Sequence, residues 1–288
     1  MNKNYSSEAA RMQLRLTRTV CYIVLILLSA LCLFSFYVLI INSTRSHPDI
    51  QKGFAFLPGG SFGYNLQKLL ANQNLPVVKA IFNSLFISTC TALVTTYFSA
   101  LTAYAIHAYD FRFKRAAFAF IMMIMMVPSQ VTALGFVKLM GSFNLLDTFI
   151  PLIIPSAASP IVFFFMKQYM EATLPLAIVE AARIDGSSEF HTFNHIVLPI
   201  MTPAIAVQGI FSFVTSWNNY FVPSLILKSA ENKTVPLLVA QLRNADFLKF
   251  DMGQVYMLIT IAIVPVIIVY LLLSKYIIRG ITLGSVKG

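Results

Sequence analysis

A chain of 288 residues in which 58% of the side chains are hydrophobic and only 11% charged lacks the charged surface that keeps a soluble domain dissolved. The formal charge of +10 does not mark a nucleic-acid binder, because the basic residues sit at block edges and in connecting segments, without an aromatic-interleaved stripe. Cys21, Cys32 and Cys90 all fall within apolar blocks and form no CxxC pair, which argues against a disulfide framework or a zinc cluster.

The N-terminal tail, 1–19, carries Lys3, Arg11, Arg15 and Arg18 ahead of an apolar run from Val20 to Ile41. That run is too long for a signal peptide and lacks a small-x-small cleavage site, so it reads as a retained first span. Five further charge-free blocks follow, at Ala80–Ile106, Ala116–Val137, Phe149–Met166, Ile200–Leu227 and Met252–Ser274. Each can cross a hydrocarbon core of about 30 Å, which takes roughly 20 helical residues. The expected fold is all-α, a polytopic membrane protein of six transmembrane helices within 20–278.

With the N-terminus inside, the inner segments hold twelve of the 21 Lys and Arg residues, including the dense turn of Arg112, Lys114 and Arg115. Positive charge near span ends favours the cytoplasmic side, so both termini are placed inside. The outer segment 42–79 is rich in turn residues: Pro48, Pro58, Gly59, Gly60 and Gly63. A second outer segment, 228–251, mixes both charges with apolar Val235 to Ala240 and is suited to touching another protein.

The inner segment 167–199 joins the fourth and fifth spans. Within it Glu180, Ala181, Ala182 and Arg183 favour a short helix, which Asp185-Gly186 ends. Phe190, Phe193, Ile196 and Val197 then give a second helix an apolar face, and Pro199 and Pro203 mark its junction with the next span.

All eleven Asp and Glu residues lie outside the six blocks, which disfavours a proton-coupled carrier, since that chemistry needs a titratable group within the membrane. The chain also lacks GxxxxGK[ST], so ATP, if used, is bound elsewhere. His191 and His195 stand four apart, but Thr192 occupies the place where a metalloprotease needs Glu, so no metal site is expected. Asn83, Trp217, Asn218 and Asn219 are the candidates for lining a hydrated path, against the commoner role of such groups in joining helices.

The stretch from Glu180 to Pro203 resembles the EAA segment of the membrane subunits of bacterial binding-protein-dependent ABC importers. Glu180, Ala181, Ala182, Asp185, Gly186, Leu198, Pro199 and Pro203 match, and Ser187 replaces a frequent Ala. Asn83-Ser84, Pro128-x-Gln130-Val131, Trp217-Asn218 and the tail Arg279–Gly288 are similar to the sugar-transporting branch, in particular the second permease of maltose-type importers. The resemblance implies a type I importer permease fold in the bacterial plasma membrane. It makes Glu180–Ser188 a coupling helix docked on a separate ATPase subunit, which would bind ATP and Mg; no cofactor belongs to this chain. Arg183 and Ser187 fall within that helix, and Leu198 and Pro199 close the segment. A second, homologous permease and an extracytoplasmic sugar-binding protein are the other implied partners, with 228–251 reaching the latter and 279–288 the ATPases. The implied function is import of a di- or oligosaccharide without catalysis by this chain; the competing reading is an ATP-independent carrier or channel for a small polar solute.

Overall fold

In a computed structural model describing residues 3–244 and 250–285, the chain divides into two compact units, 1–69 with 247–260 and 70–246 with 261–288. The first unit begins with α1 (Lys3–Ser43), whose most apolar stretch is exposed along its length. A folded cap follows, built from α2 (His47–Gln51), capped by Ser46, and α3 (Phe62–Leu70). Arg45 organises the cap: its buried guanidinium donates to Asn42 Oδ1 at 3.1 Å, to the Gly53 carbonyl at 2.8 Å and to the Asp49 carbonyl. Asn65 donates to the carbonyls of Ser43 and Arg45, both at 2.9 Å, satisfying acceptors left over where α1 ends. Lys68 pairs with Asp251 at 2.7 Å, and His47 Nδ1 accepts from the Met252 amide at 3.0 Å.

The second unit opens with α4 (Val77–Ala108), which has neither glycine nor proline within it. The expected third span is two helices, α5 (Lys114–Ile124) and α6 (Ser129–Ser142). Pro128 explains this correction: it has no N–H to offer the preceding turn and pushes Val127 out of the helical region, so the chain closes two short turns before restarting. The fourth crossing is kinked at its prolines, running through α7 (Ile150–Ile153), a 3₁₀ turn (Ile154–Ala157) and α8 (Pro160–Thr173). Next come α9 (Leu176–Ile184), α10 (Glu189–Thr192), a π turn (Phe193–Val197) and α11 (Leu198–Trp217). The fifth crossing is therefore helical from Glu189, earlier than position 200, and it ends at Trp217. The chain continues through α12 (Phe221–Ile226), a 3₁₀ turn (Ala230–Asn232) and α13 (Val235–Arg243).

The last helix, α14 (Met252–Ser285), carries the sixth expected span and continues into the predicted tail; 286–288 lie outside the described residues. Among the described residues five helices are long and apolar enough to cross a membrane, and the broken third block is not one of them.

A core of the second unit gathers Ala100, Ala103 and Tyr104 of α4, Phe163, Met166 and Met170 of α8, Val179 of α9, and Phe193, Val197 and Met201. Small residues on α4 let it lie close against α11 and α8.

Candidate functional site

Leu174 is buried and Pro175 follows it, so the chain leaves α8 with a turn and starts α9 at a position where a missing N–H does no harm. Helix α9 puts Val179 and Ala182 into the core, leaving Glu180, Ala181 and Ile184 on the outer side. Ala182 thus packs inward.

The helix ends at Gly186, whose φ of +77° is readily available only to glycine. The Gly186 amide donates to the Arg183 carbonyl at 3.1 Å and the Ser187 amide to the Ala182 carbonyl at 2.9 Å, the two bonds of a Schellman cap. Ser188 then caps α10. The Arg183 Nε donates to Glu189 Oε1 at 2.7 Å, closing the two arms of the turn on each other. That hydrogen bond raises the Arg183 pKa above its ordinary value.

Glu189 also accepts from the Tyr104 hydroxyl at 2.9 Å, and Arg183 lies 4.9 Å from the Tyr109 ring centroid. Tyr104 and Phe193 pack with ring centroids 5.6 Å apart.

The expected apolar face of the second helix is redrawn. Thr192, Phe193 and Val197 are buried, whereas Phe190 is 71% exposed. A π turn over Phe193–Val197 follows, where the winding widens. Leu198 donates to Phe193 across five residues, just before Pro199, which cannot donate at all. Leu198 is half-buried and Pro199 exposed.

The turn therefore presents a convex knob bearing Glu180, Ile184, Asp185 and Phe190, with Ile184 85% exposed. Nothing in it resembles a catalytic constellation; it carries two acidic and two large apolar side chains on one exposed surface. Neither Ile184 nor Phe190 stands out in the motif. Ile184 was nonetheless recoverable from the sequence, since it follows Glu180 by four and shares its helix face. His191 and His195 stack with centroids 4.1 Å apart on the exposed side.

The four path candidates are not brought together as one lining. Asn83 donates to the carbonyls of Glu231 at 2.8 Å and Lys233 at 3.0 Å, so its amide ties a loop to α4. Trp217 is buried and stacks on Phe213, with centroids 5.8 Å apart. Asn218 is exposed at the end of α11, and Asn219 Oδ1 accepts weakly from the Val222 amide at 3.4 Å.

Asn83 belongs to a hydrogen-bonded knot. Lys79 pairs with Glu231, and Ser84 Oγ accepts from the Val235 amide at 2.9 Å. Asp147, itself in a left-handed conformation with φ of 59°, accepts from the amides of Lys228 at 2.8 Å and Ser229 at 3.0 Å, which lower its pKa. Asn232 donates to the Asp147 carbonyl at 2.7 Å.

Residues 96–283 match the family model described as the binding-protein-dependent transport system inner membrane component. The chain is 33% identical over 267 residues to the arabinooligosaccharides transport system permease protein of Bacillus subtilis, covering 91% of this chain and 93% of that one. It is 29% identical to the lactose transport system permease protein of Rhizobium radiobacter, covering 95% and 97%. A solved bacterial ABC transporter involved in importing the acidic polysaccharide alginate superimposes with a TM-score of 0.78 at 22% identity, covering 91% of this chain and 96% of that one. That similarity concerns the fold.

Proposed function

The chain belongs to the family of binding-protein-dependent transport system inner membrane components and is a permease subunit of an ABC importer, and from that premise we propose that it imports a di- or oligosaccharide. The choice of solute is supported by relatives named for arabinooligosaccharide and lactose transport. In this reading the knob of Glu180, Ile184, Asp185 and Phe190 inserts into a cleft of a separate ATPase, which binds ATP and Mg. The observation that carries it is the exposure of two large apolar side chains on a turn held rigid by a Schellman cap and the Arg183–Glu189 pair. Exposed apolar groups on a fixed scaffold fit a binding surface far better than a solvated connector.

Six crossings put both termini in the cytoplasm, the third as the broken pair α5 and α6. Carbonyls freed by a break at membrane depth need protein or water around them. Met126 and Leu134 flank that break in exposed positions, which supports a second permease covering this surface. The outer segment 228–251 faces an extracytoplasmic sugar-binding protein. ATP-driven closure of the ATPases pushes on the knob and shifts the helices as rigid bodies about a central path.

Gentle purification of the tagged chain from host membranes, with mass-spectrometric identification of what accompanies it, tests the reading. An ABC ATPase and a second permease are expected. A chain that purifies alone and moves sugar into vesicles without ATP overturns it.

A further inference from the structure

Helix α4 is fastened at both ends to segments that would meet other proteins. At its inner end the Tyr104 hydroxyl donates to Glu189 at 2.9 Å, and His107 Nε2 lies 3.0 Å from the Leu174 carbonyl, just before Pro175 opens α9. Tyr109, next after the helix, lies under the Arg183 guanidinium. Thus α10 is held to α4 through Glu189, while α9 is held through Arg183 to Tyr109, the residue that follows α4, and through His107 to the Leu174 carbonyl just before it. At its outer end Lys79 pairs with Glu231, Asn83 holds the carbonyls of Glu231 and Lys233, and Ser84 accepts from the Val235 amide.

Between Asn83 and Tyr104 the helix rises about 32 Å at 1.5 Å per residue. No glycine or proline interrupts it, whereas α11 carries Pro203 and Gly209 and α14 carries Pro265. Helix bends concentrate at such residues, so α4 is the stiff element among these three long helices. Buried Ser88, Thr95, Ser99, Ala100 and Ala103 bring it close to its neighbours over the same length.

We propose that α4 is a connecting rod that makes the inner turn 176–189 and the outer loop 228–235 move as one body. Tyr104, Glu189, Asn83 and Ser84 are positioning residues in this device: they touch no solute and act by keeping the rod fastened. The inference rests on the ATPase reading of the inner turn, and extends it by carrying nucleotide-driven displacement directly to the outer face. A fastened rod gives a fixed separation between turn and loop; a loosened end gives a variable one.

The test places nitroxides on His191→Cys and Ala230→Cys, after replacement of the three native cysteines, in the complex purified into nanodiscs. Pulsed EPR is recorded with and without MgATP and vanadate. The expected result is one narrow distance distribution, unchanged by nucleotide. Tyr104→Phe with Glu189→Ala, or Asn83→Ala with Ser84→Ala, should broaden it and make it shift on nucleotide. Tyr104→Phe alone keeps the ring against Phe193 and removes only the hydroxyl; it should broaden the distribution in a chain that is otherwise packed as before. Glu189→Gln, which retains an acceptor oxygen, should restore part of the narrowness lost in Glu189→Ala. A native distance that shifts on nucleotide beyond its own width, or loosened variants that stay as narrow as the native chain, overturns the rod. If no ATPase accompanies the chain, the coupling reading fails separately, and the comparison of variants without nucleotide still decides the rod.

Discussion

Truncating Ile184 and Phe190 separates a docking surface from a structural one. Ile184 is 85% exposed and Phe190 71%, so removing either side chain withdraws little that the isolated chain has buried, and its unfolding temperature should stay unchanged. Buried in a partner's cleft, each side chain contributes about 1.5 to 3 kcal/mol. Ile184→Ala retains the β carbon and should forfeit about 2 kcal/mol of that, a weakening of roughly 30-fold at 1.4 kcal/mol per tenfold. Phe190→Ala should weaken binding by at least as much. Val179→Ala, in the core of the same helix, is the contrasting case: it should lower thermal stability while leaving the knob in place. The assay is titration of the purified ATPase onto the detergent-solubilised chain, alongside thermal unfolding of each variant. An Ile184→Ala chain that binds the ATPase with native affinity, or that unfolds earlier than the native chain, refutes the assignment of this face.

Gly186→Ala meets open space, with no atom within 4 Å of the added carbon, so its cost is the left-handed backbone alone, about 1 to 2 kcal/mol; faster hydrogen exchange at the Ser187 amide is the readout, and unchanged exchange argues against the cap. Asp147 has a folded pKa below its ordinary 3.8, so its stabilisation of the outer loop is complete above 3.8 and is lost as pH falls below that value toward the depressed folded pKa. A nitroxide at Ala230 should therefore gain mobility only in that acid window, and Asp147→Asn should remove this pH dependence. Gly253→Ala brings a carbon to 2.8 Å from the Asn65 amide oxygen, which cannot swing away without releasing Ser43 and Arg45; a loss of about 1 to 3 kcal/mol is expected by the measure of overpacked sites, read as a fall in unfolding temperature, and a native-like temperature means the cap is looser than described.

What the sequence made legible follows from local rules. Asp185-Gly186 stops a helix because only glycine enters the left-handed region cheaply, and the structure puts the stop there. Two patterns fail. Regular helical spacing puts Phe190 on the apolar face with Phe193 and Val197, yet Phe190, in the first turn of its helix, is 71% exposed while the other two are buried. The block from Ala116 to Val137 is free of charge and so reads as a span, yet one proline divides it, since apolarity sets what can enter a membrane and the backbone N–H sets what can stay helical. Asn83 shows a different limit. Its acceptors lie about 150 residues away, and no local pattern distinguishes an amide that holds a loop from one that lines a path.

The broken block also indicates why this chain makes sense as a subunit. A soluble domain would bury the apolar side chains flanking Pro128 in its own core; here Met126, Val131 and Leu134 are exposed, and lipid could cover them. Lipid cannot satisfy the backbone carbonyls that the missing N–H and the break release. Apolar cover for the side chains and hydrogen-bond partners for any carbonyl the break leaves open are separate demands. The same logic separates the two faces of α4. Its small residues satisfy close packing within the chain, while Asn83 and Ser84 near one end hold the loop 231–235 and Tyr104 near the other holds Glu189 of the turn.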